Sequence, residues 1–138
     1  MRAEKVVKSL LAADAGVTAI IGAKLWGGVA AQDEEPPFVV YRKLSAAREE
    51  GLDPDEITPG AATCIVRAQI EITCVAAQYE GMKTLGEAVR NALAYQRGTV
   101  AGVELLGIFV DSEGADEFNA ERDEFFQTWV FRVEHSEP

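Results

Sequence analysis

The stretch that decides the fold is ATCIVRAQIEITCVA, residues 62–76. Every second side chain is small or apolar, and these share one face: Cys64, Val66, Ala68, Ile70, Ile72 and Cys74. The residues between them are mostly polar: Thr63, Arg67, Gln69, Glu71 and Thr73, with Ile65 and Val75 near the two ends. Because side chains of a strand point alternately to its two faces, this period predicts a long strand with one packed and one wet face.

Two segments on either side of this strand carry apolar residues at helical spacing. Residues 2–13 have the stripe Val6, Val7, Leu10 and Leu11. Residues 79–96 have the stripe Met82, Leu85, Val89, Ala92 and Leu93. Both segments are followed by glycine, which commonly ends a helix. A shorter turn is expected at residues 17–21.

Further strands are predicted at residues 24–26, 38–45, 103–110 and 124–134, which are rich in β-branched and aromatic side chains. A loop at residues 49–61, with two prolines and two glycines, joins two of the strands. The acidic segment 111–123 is expected to be a second connector. Neighbouring strands joined in this order favour antiparallel pairing. The prediction is therefore an α+β fold in which two main helices pack on one face of an antiparallel sheet.

The chain has 138 residues and a formal net charge of −10, which is the size of a single domain spanning residues 1–138. The charge is uneven, since residues 111–138 hold nine acidic and two basic residues while residues 1–50 are neutral. Such a surface repels phosphate, which argues against tight binding of nucleic acid and against a polybasic membrane anchor.

The start of the chain lacks the pattern of a signal peptide and no apolar run reaches transmembrane length, so we expect a cytoplasmic protein.

The residues that usually carry catalysis are sparse. The only histidine, His135, lies near the end of the chain and is expected to be an ordinary tail residue. Cys64 and Cys74 are about 33 Å apart along a straight strand, too far for a disulfide, and are expected to be small buried side chains. The segment 22–28 lacks the ending of a phosphate-binding loop. We therefore expect no enzyme activity, no metal and no cofactor.

The order of these segments resembles the tail-completion, or tail-terminator, proteins of long-tailed bacteriophages and prophages. The similarity is carried by five segments: IIGAKLW at 20–26, PFVVY at 37–41, VRAQIEITCVA at 66–76, the helix 79–93 with AVRNAL at its end, and the closing strand 125–133. Each of these patterns occurs in many proteins, and the resemblance rests on their order and spacing along the chain.

The resemblance implies a structural virion protein without catalysis. Members of this family form rings, commonly of six copies, at the head-proximal end of a finished tail tube. The ring stops polymerisation of the tube and presents a surface to the head-tail connector protein, and DNA passes through without being tightly bound. The expected location is the virion tail, after assembly in the host cytoplasm.

Two groups of residues are the expected contact sites. The first is a loop that contacts the tube or a neighbouring copy: Arg48, Glu49, Glu50, Asp53, Asp55 and Glu56. The second is an acidic lumen or docking surface: Asp111, Glu113, Asp116, Glu117 and Glu121. An acidic lumen suits a DNA conduit because like charges prevent the duplex from adhering.

Two other functions remain open from the residues. One is a neck or connector protein on the head side, which would share the small size and ring symmetry. The other is a small acidic bacterial enzyme or binding domain.

Overall fold

The computed structural model of the protein describes residues 2–31, 33–50 and 64–137. It contains three helices, α1 (Arg2–Ala13), α2 (Ala15–Ile21) and α3 (Tyr79–Leu93). Its strands are β1 (Leu25–Gly27), β2 (Phe38–Glu50), β3 (Cys64–Ala76), β4 (Gly98–Val100), β5 (Val103–Glu113), β6 (Glu117–Asn119) and β7 (Glu124–Glu137). The predicted α+β class is confirmed.

The strands form one sheet in the order β1-β2-β3-β7-β5-β4, and β6 pairs with the beginning of β7. The predicted strand β3 lies at the centre, antiparallel to β2 and to β7. Its apolar residues Ile70 and Ile72 stand opposite Phe131 and Trp129 of β7. Residues that face each other across an antiparallel pair share a face, so the alternation in β3 and β7 combines into one continuous apolar surface.

The helices cover this apolar surface, as predicted. Val6, Val7 and Leu11 of α1 are fully buried, and so are Leu85, Val89 and Leu93 of α3. They belong to the same core cluster as Ile70, Ile72 and Phe131 of the sheet. Burying each large apolar side chain contributes about 1.5–3 kcal/mol, so this single layer of contacts holds the helices on the sheet.

The helix α2 is short and has a defined start. The Asp14 side chain accepts a hydrogen bond from the Val17 amide at 2.9 Å, which satisfies one of the unpaired amides of the first turn. Val17 and Ile21 are buried. The helix therefore extends and orders the short turn expected at residues 17–21.

Three element boundaries differ from the predictions. β2 runs to Glu50, so Glu49 and Glu50 are strand residues and not part of the predicted loop. β5 runs to Glu113, and β6 takes up residues of the predicted acidic connector. Helix α3 ends at Leu93, and Gly98 begins β4. For β2 and β6, pairing with another strand, such as Glu49 with Ile65, decides the state of a locally polar segment.

The strand β1 pairs with β2 in parallel, whereas antiparallel pairing was predicted throughout the sheet. The parallel arrangement is possible because ten residues separate Gly27 from Phe38, which is enough for the chain to return before β2 begins. Among the described residues, no helix is long and apolar enough to cross a membrane.

The prediction that His135 is an ordinary tail residue was wrong. His135 is 3% exposed, because β7 continues to Glu137 between β3 and β5. Its Nδ1 lies 3.1 Å from the carbonyl oxygen of Ser136. The last strand is thus a central strand of the sheet, which holds residues 124–137 in place.

Candidate assembly surface

The face of the sheet opposite the helices is uncovered by any other described element, and we call it the open face. The polar residues of β3 and the intervening residues of β7 point to it because of the period of two. Ile65, Phe126 and Val130, expected on this side, are half-buried there. The face is therefore a broad polar surface with a few apolar side chains between the charges.

Ion pairs that cross from strand to strand connect the open face. Arg67 of β3 pairs with Glu49 of β2, and its Nε lies 3.2 Å from a carboxylate oxygen of Glu134 of β7. Arg132 of β7 also pairs with Glu134, at 3.1 Å, and with Asp111 of β5, at 3.0 Å. One chain of charges of alternating sign therefore runs across four strands.

A separate pair lies closer to the start of β2. Arg42 donates to both carboxylate oxygens of Glu71, at 2.9 and 3.3 Å. This bond raises the pKa of Arg42, and the hydrogen bond with Glu49 chiefly raises the pKa of Arg67. Exposed pairs of this kind contribute little to folding, typically below about 1 kcal/mol each. Their main effect is that the cations of the open face are already occupied by carboxylates.

The five acids of the predicted lumen or docking surface lie in different surroundings. Asp111 lies on the open face, where it also accepts a hydrogen bond from Gln69. Glu113 stands opposite Trp129 on the helix-covered side and accepts a 3.4 Å bond from Gln127. Asp116 contacts α3, Glu117 belongs to β6, and Glu121 follows β6 in a turn. Their role in a lumen or in docking stays a prediction.

Asp116 joins the segment after β5 to the start of α3. Its carboxylate accepts a 2.7 Å hydrogen bond from the Tyr79 hydroxyl and lies 2.5 Å from Nζ of Lys83. Lys83 first, and then Tyr79, hold the pKa of Asp116 below its ordinary value of 3.8. Because the folded pKa is depressed, the contact stabilises the fold above the ordinary pKa and is lost as pH falls through the folded value.

We expect Lys83→Met to return the pKa of Asp116 toward 3.8, because the substitution removes the largest cause of the shift. A ¹³C NMR titration of the Asp116 carboxylate measures it, and Lys5→Met on α1 is the control that should change nothing. A wild-type Asp116 that titrates at its ordinary value would contradict the contact.

The residues of the predicted contact loop are only partly described. Arg48 and Glu49 lie on β2, where Arg48 donates to Glu137 at 3.0 Å and Glu49 pairs with Arg67. The backbone of Glu50 pairs with Cys64. Asp53, Asp55 and Glu56 lie outside the described residues. The contact role of this group therefore remains a prediction.

The order of the strands shows which residues form the exposed edges on the two sides of the sheet. β1 covers β2 only at residues 39–41, so in the described chain residues 42–50 have no outer partner; we call them the β2 edge. On the other side, β4 pairs with residues 103–105 and the Tyr95 amide donates to the carbonyl of Ile108. Residues 109–113 are then uncovered by any described strand, and we call them the β5 edge. Unpaired edges are ready to pair with another chain.

The groups that could perform chemistry do not converge in the described part of the chain. No set of three or more His, Cys, Asp and Glu side chains there could hold a metal. Burial raises the pKa of the Cys74 thiol to about 12, which makes it unreactive near neutral pH. A groove of about 620 Å³ between α3 and the sheet is lined by side chains of both charge signs, among them Lys83, Arg90, Glu87 and Glu113.

Comparisons with known proteins agree with the sequence pattern. A family model described as "Tail completion protein gp17" matches residues 5–132. Among 17 matching chains of solved structures is one described as "Virion of native gene transfer agent (GTA) particle". It is 19% identical, with a TM-score of 0.66, and the match covers 96% of this chain and 92% of that chain. At this identity the likeness shows a shared fold. No curated protein sequence matches.

Proposed function

The chain belongs to the Tail completion protein gp17 family, and on this premise we propose that it terminates the tail of a phage or phage-like particle. Copies of the chain, commonly six, form a ring on the head-proximal end of the tail tube. The ring stops addition of further tube subunits and offers a surface to the head-tail connector protein. The observation that carries this proposal is the family match over nearly the whole chain.

The geometry supports a role in assembly. A closed ring needs two different surfaces on each copy, which meet head to tail with a rotation that closes. The β2 edge and the β5 edge lie at opposite sides of one sheet and offer two different surfaces of this kind. The open face adds a broad polar surface that no described element covers. A protein that acts alone in solution gains nothing from leaving such surfaces exposed.

The charges support a passage for DNA without tight binding. Binding to a duplex requires lysine and arginine side chains that are free to neutralise phosphates. On the open face Arg42, Arg67 and Arg132 are each already paired with carboxylates. The net charge of −10 adds a general repulsion. A duplex that moves through a ring of these copies would meet few sites that hold it.

The proposed location follows from this role. The protein is made and assembled in the host cytoplasm and ends in the virion, at the head-proximal end of the tail. Its partners there are other copies of itself, the tail tube protein on one side and the connector protein on the other.

We expect particles made without the protein to show tubes of uncontrolled length and free heads, because nothing caps the growing end. Electron microscopy of lysates measures tail length and the fraction of joined particles. Adding the purified wild-type protein to the tubes should restore joining to heads. Tails of normal length that fail only to join heads would instead favour a head-side neck protein. Normal joined particles would contradict both functions.

A further inference from the structure

The two uncovered edges lie at the same height of the sheet. Following the pairing across β2, β3, β7 and β5, Arg42 stands level with Ser112. Tyr41 stands level with Glu113 in the same way. Successive strands on this path are antiparallel, so β2 and β5 run in opposite directions. A second copy in the same orientation would therefore bring its β5 edge antiparallel to the β2 edge of the first.

Apolar side chains are exposed beside both edges. Leu44 on the β2 edge is 43% exposed and Val110 on the β5 edge is 37% exposed. Tyr95, whose amide bonds to Ile108, is 75% exposed. Large apolar side chains that are exposed together at an unpaired edge are typical of a contact surface.

The charges of the two edges are complementary. The β2 edge begins with Arg42 and Lys43, and the β5 edge ends with Asp111 and Glu113. Lys43 stands opposite Ile70, on the helix-covered side, and Glu113 lies on that same side. Lys43 is exposed and makes no ion pair within the described residues.

We propose that the β2 edge of one copy pairs antiparallel with the β5 edge of a second copy, residues 42–45 against residues 109–113. The partner is thus a second copy of this chain, and the sheet continues from copy to copy. Lys43 of one copy then lies diagonally across from Glu113 of the next, within reach of long side chains. This pairing would form the interface between neighbouring copies in the proposed ring. The pairing itself is argued from the edges, and only the closure of the ring rests on the proposed function in tail termination.

The proposed contact between the two edges involves only a few residues, so its formation depends on the local concentration of the copies. Both edges have an irregular register, between Lys43 and Ser45 and between Val110 and Ser112. Irregularities of this kind interrupt the row of backbone groups and limit pairing between free chains. Copies that are held side by side on a tube end meet at a far higher effective concentration. Free copies are thus expected to associate weakly and to pair when a tube gathers them.

The test reverses one charge on each edge, in the variants Lys43→Glu and Glu113→Lys. Lys43→Glu should melt like the wild type, because Lys43 is exposed and makes no ion pair within the described residues. Glu113→Lys loses the 3.4 Å bond from Gln127 and places a second cation beside Lys83, so it should melt slightly lower, and assembly is measured well below that temperature. Each alone should need about a tenfold higher concentration to form rings on tubes, since like charges then face each other at every contact. Lys5→Glu and Glu35→Lys reverse exposed charges away from the edges and should assemble normally.

An equimolar mixture of the two variants should restore ring formation. When the two variants alternate around the ring, Glu at position 43 meets Lys at position 113 at one contact. At the next contact the wild-type Lys43 meets the wild-type Glu113, so every contact is attractive. Sedimentation and electron microscopy with tubes measure the outcome. The proposal is overturned if the single variants assemble like the wild type, or if the mixture fails to recover. If the variants form rings as the wild type does and these rings cap tubes, this interface is wrong but the proposed role in tail termination is not affected. If ring formation depends on these charges but the rings do not cap tubes, the interface is supported and the proposed role in tail termination is overturned.

Discussion

Replacing Gly114 with alanine is expected to lower the free energy of unfolding by about 2–3 kcal/mol. A Cβ at this position would lie far inside contact distance of the Thr128 backbone carbonyl oxygen. The Gly114 amide donates to that same oxygen at 2.8 Å, and its own carbonyl accepts from Gln127 at 2.9 Å. The backbone must move away from β7, which breaks both hydrogen bonds. Thermal unfolding should show a fall in melting temperature of roughly 5–15 °C.

Gly81→Ala is the matched control for this prediction. A Cβ at Gly81 would meet only the Cβ of Ala76, at an ordinary 3.5 Å. Because Gly81 lies within α3, alanine should stabilise the helix by about 0.5–1 kcal/mol. Opposite shifts of the two variants would confirm that contact with β7, and not loss of glycine as such, decides the result. Equal melting temperatures would contradict the close approach of Gly114 to β7.

Replacing Phe131 with alanine is expected to cost about 3–5 kcal/mol, because it leaves a cavity in the middle of the core. Phe131 is fully buried, stands opposite Ile70, and stacks with Trp129 at a centroid distance of 6.0 Å. A domain of this size is stable by about 5–15 kcal/mol, so a large part of the stability would be lost. Urea unfolding followed by tryptophan fluorescence measures the change.

The control for Phe131 is Phe118→Ala. Phe118 is 50% exposed and packs on Phe125 at a centroid distance of 4.8 Å. Its loss should cost about 1 kcal/mol, the order expected for one aromatic pair. If Phe131→Ala and Phe118→Ala unfold at the same urea concentration, Phe131 does not lie in the centre of the core, and the register between β3 and β7 is contradicted.

Much of the fold was predictable from local patterns. The alternation in β3 and the apolar stripes of α1 and α3 predict these elements correctly, because each pattern repeats within one segment and indicates which side of that segment is buried. The elements that were missed or cut short have weak local signals. Strand β4 has three residues, and the end of β2 is a polar run that becomes strand through pairing with β3.

The candidate site was less predictable. Net charge pointed to an acidic surface at residues 111–124, but it could not show that Asp111 pairs with Arg132 or that Asp116 contacts Lys83. Those contacts join residues that are distant in the sequence or lie on different elements. The residues that form the exposed edges could not be predicted for a similar reason, since the edge of a sheet is defined only by the order of its strands.

The sequence by itself determined that the protein is a layer of helices on a mainly antiparallel sheet and that it resembles a tail completion protein. Both follow from the order and the spacing of segments along the chain. Only the tertiary structure decided that His135 is buried, that the acids are divided among separate contacts, and that the β2 edge and the β5 edge stand at one height. The physical reason is that burial, ion pairing and edge exposure depend on the register between strands, which residues far apart in the chain establish together.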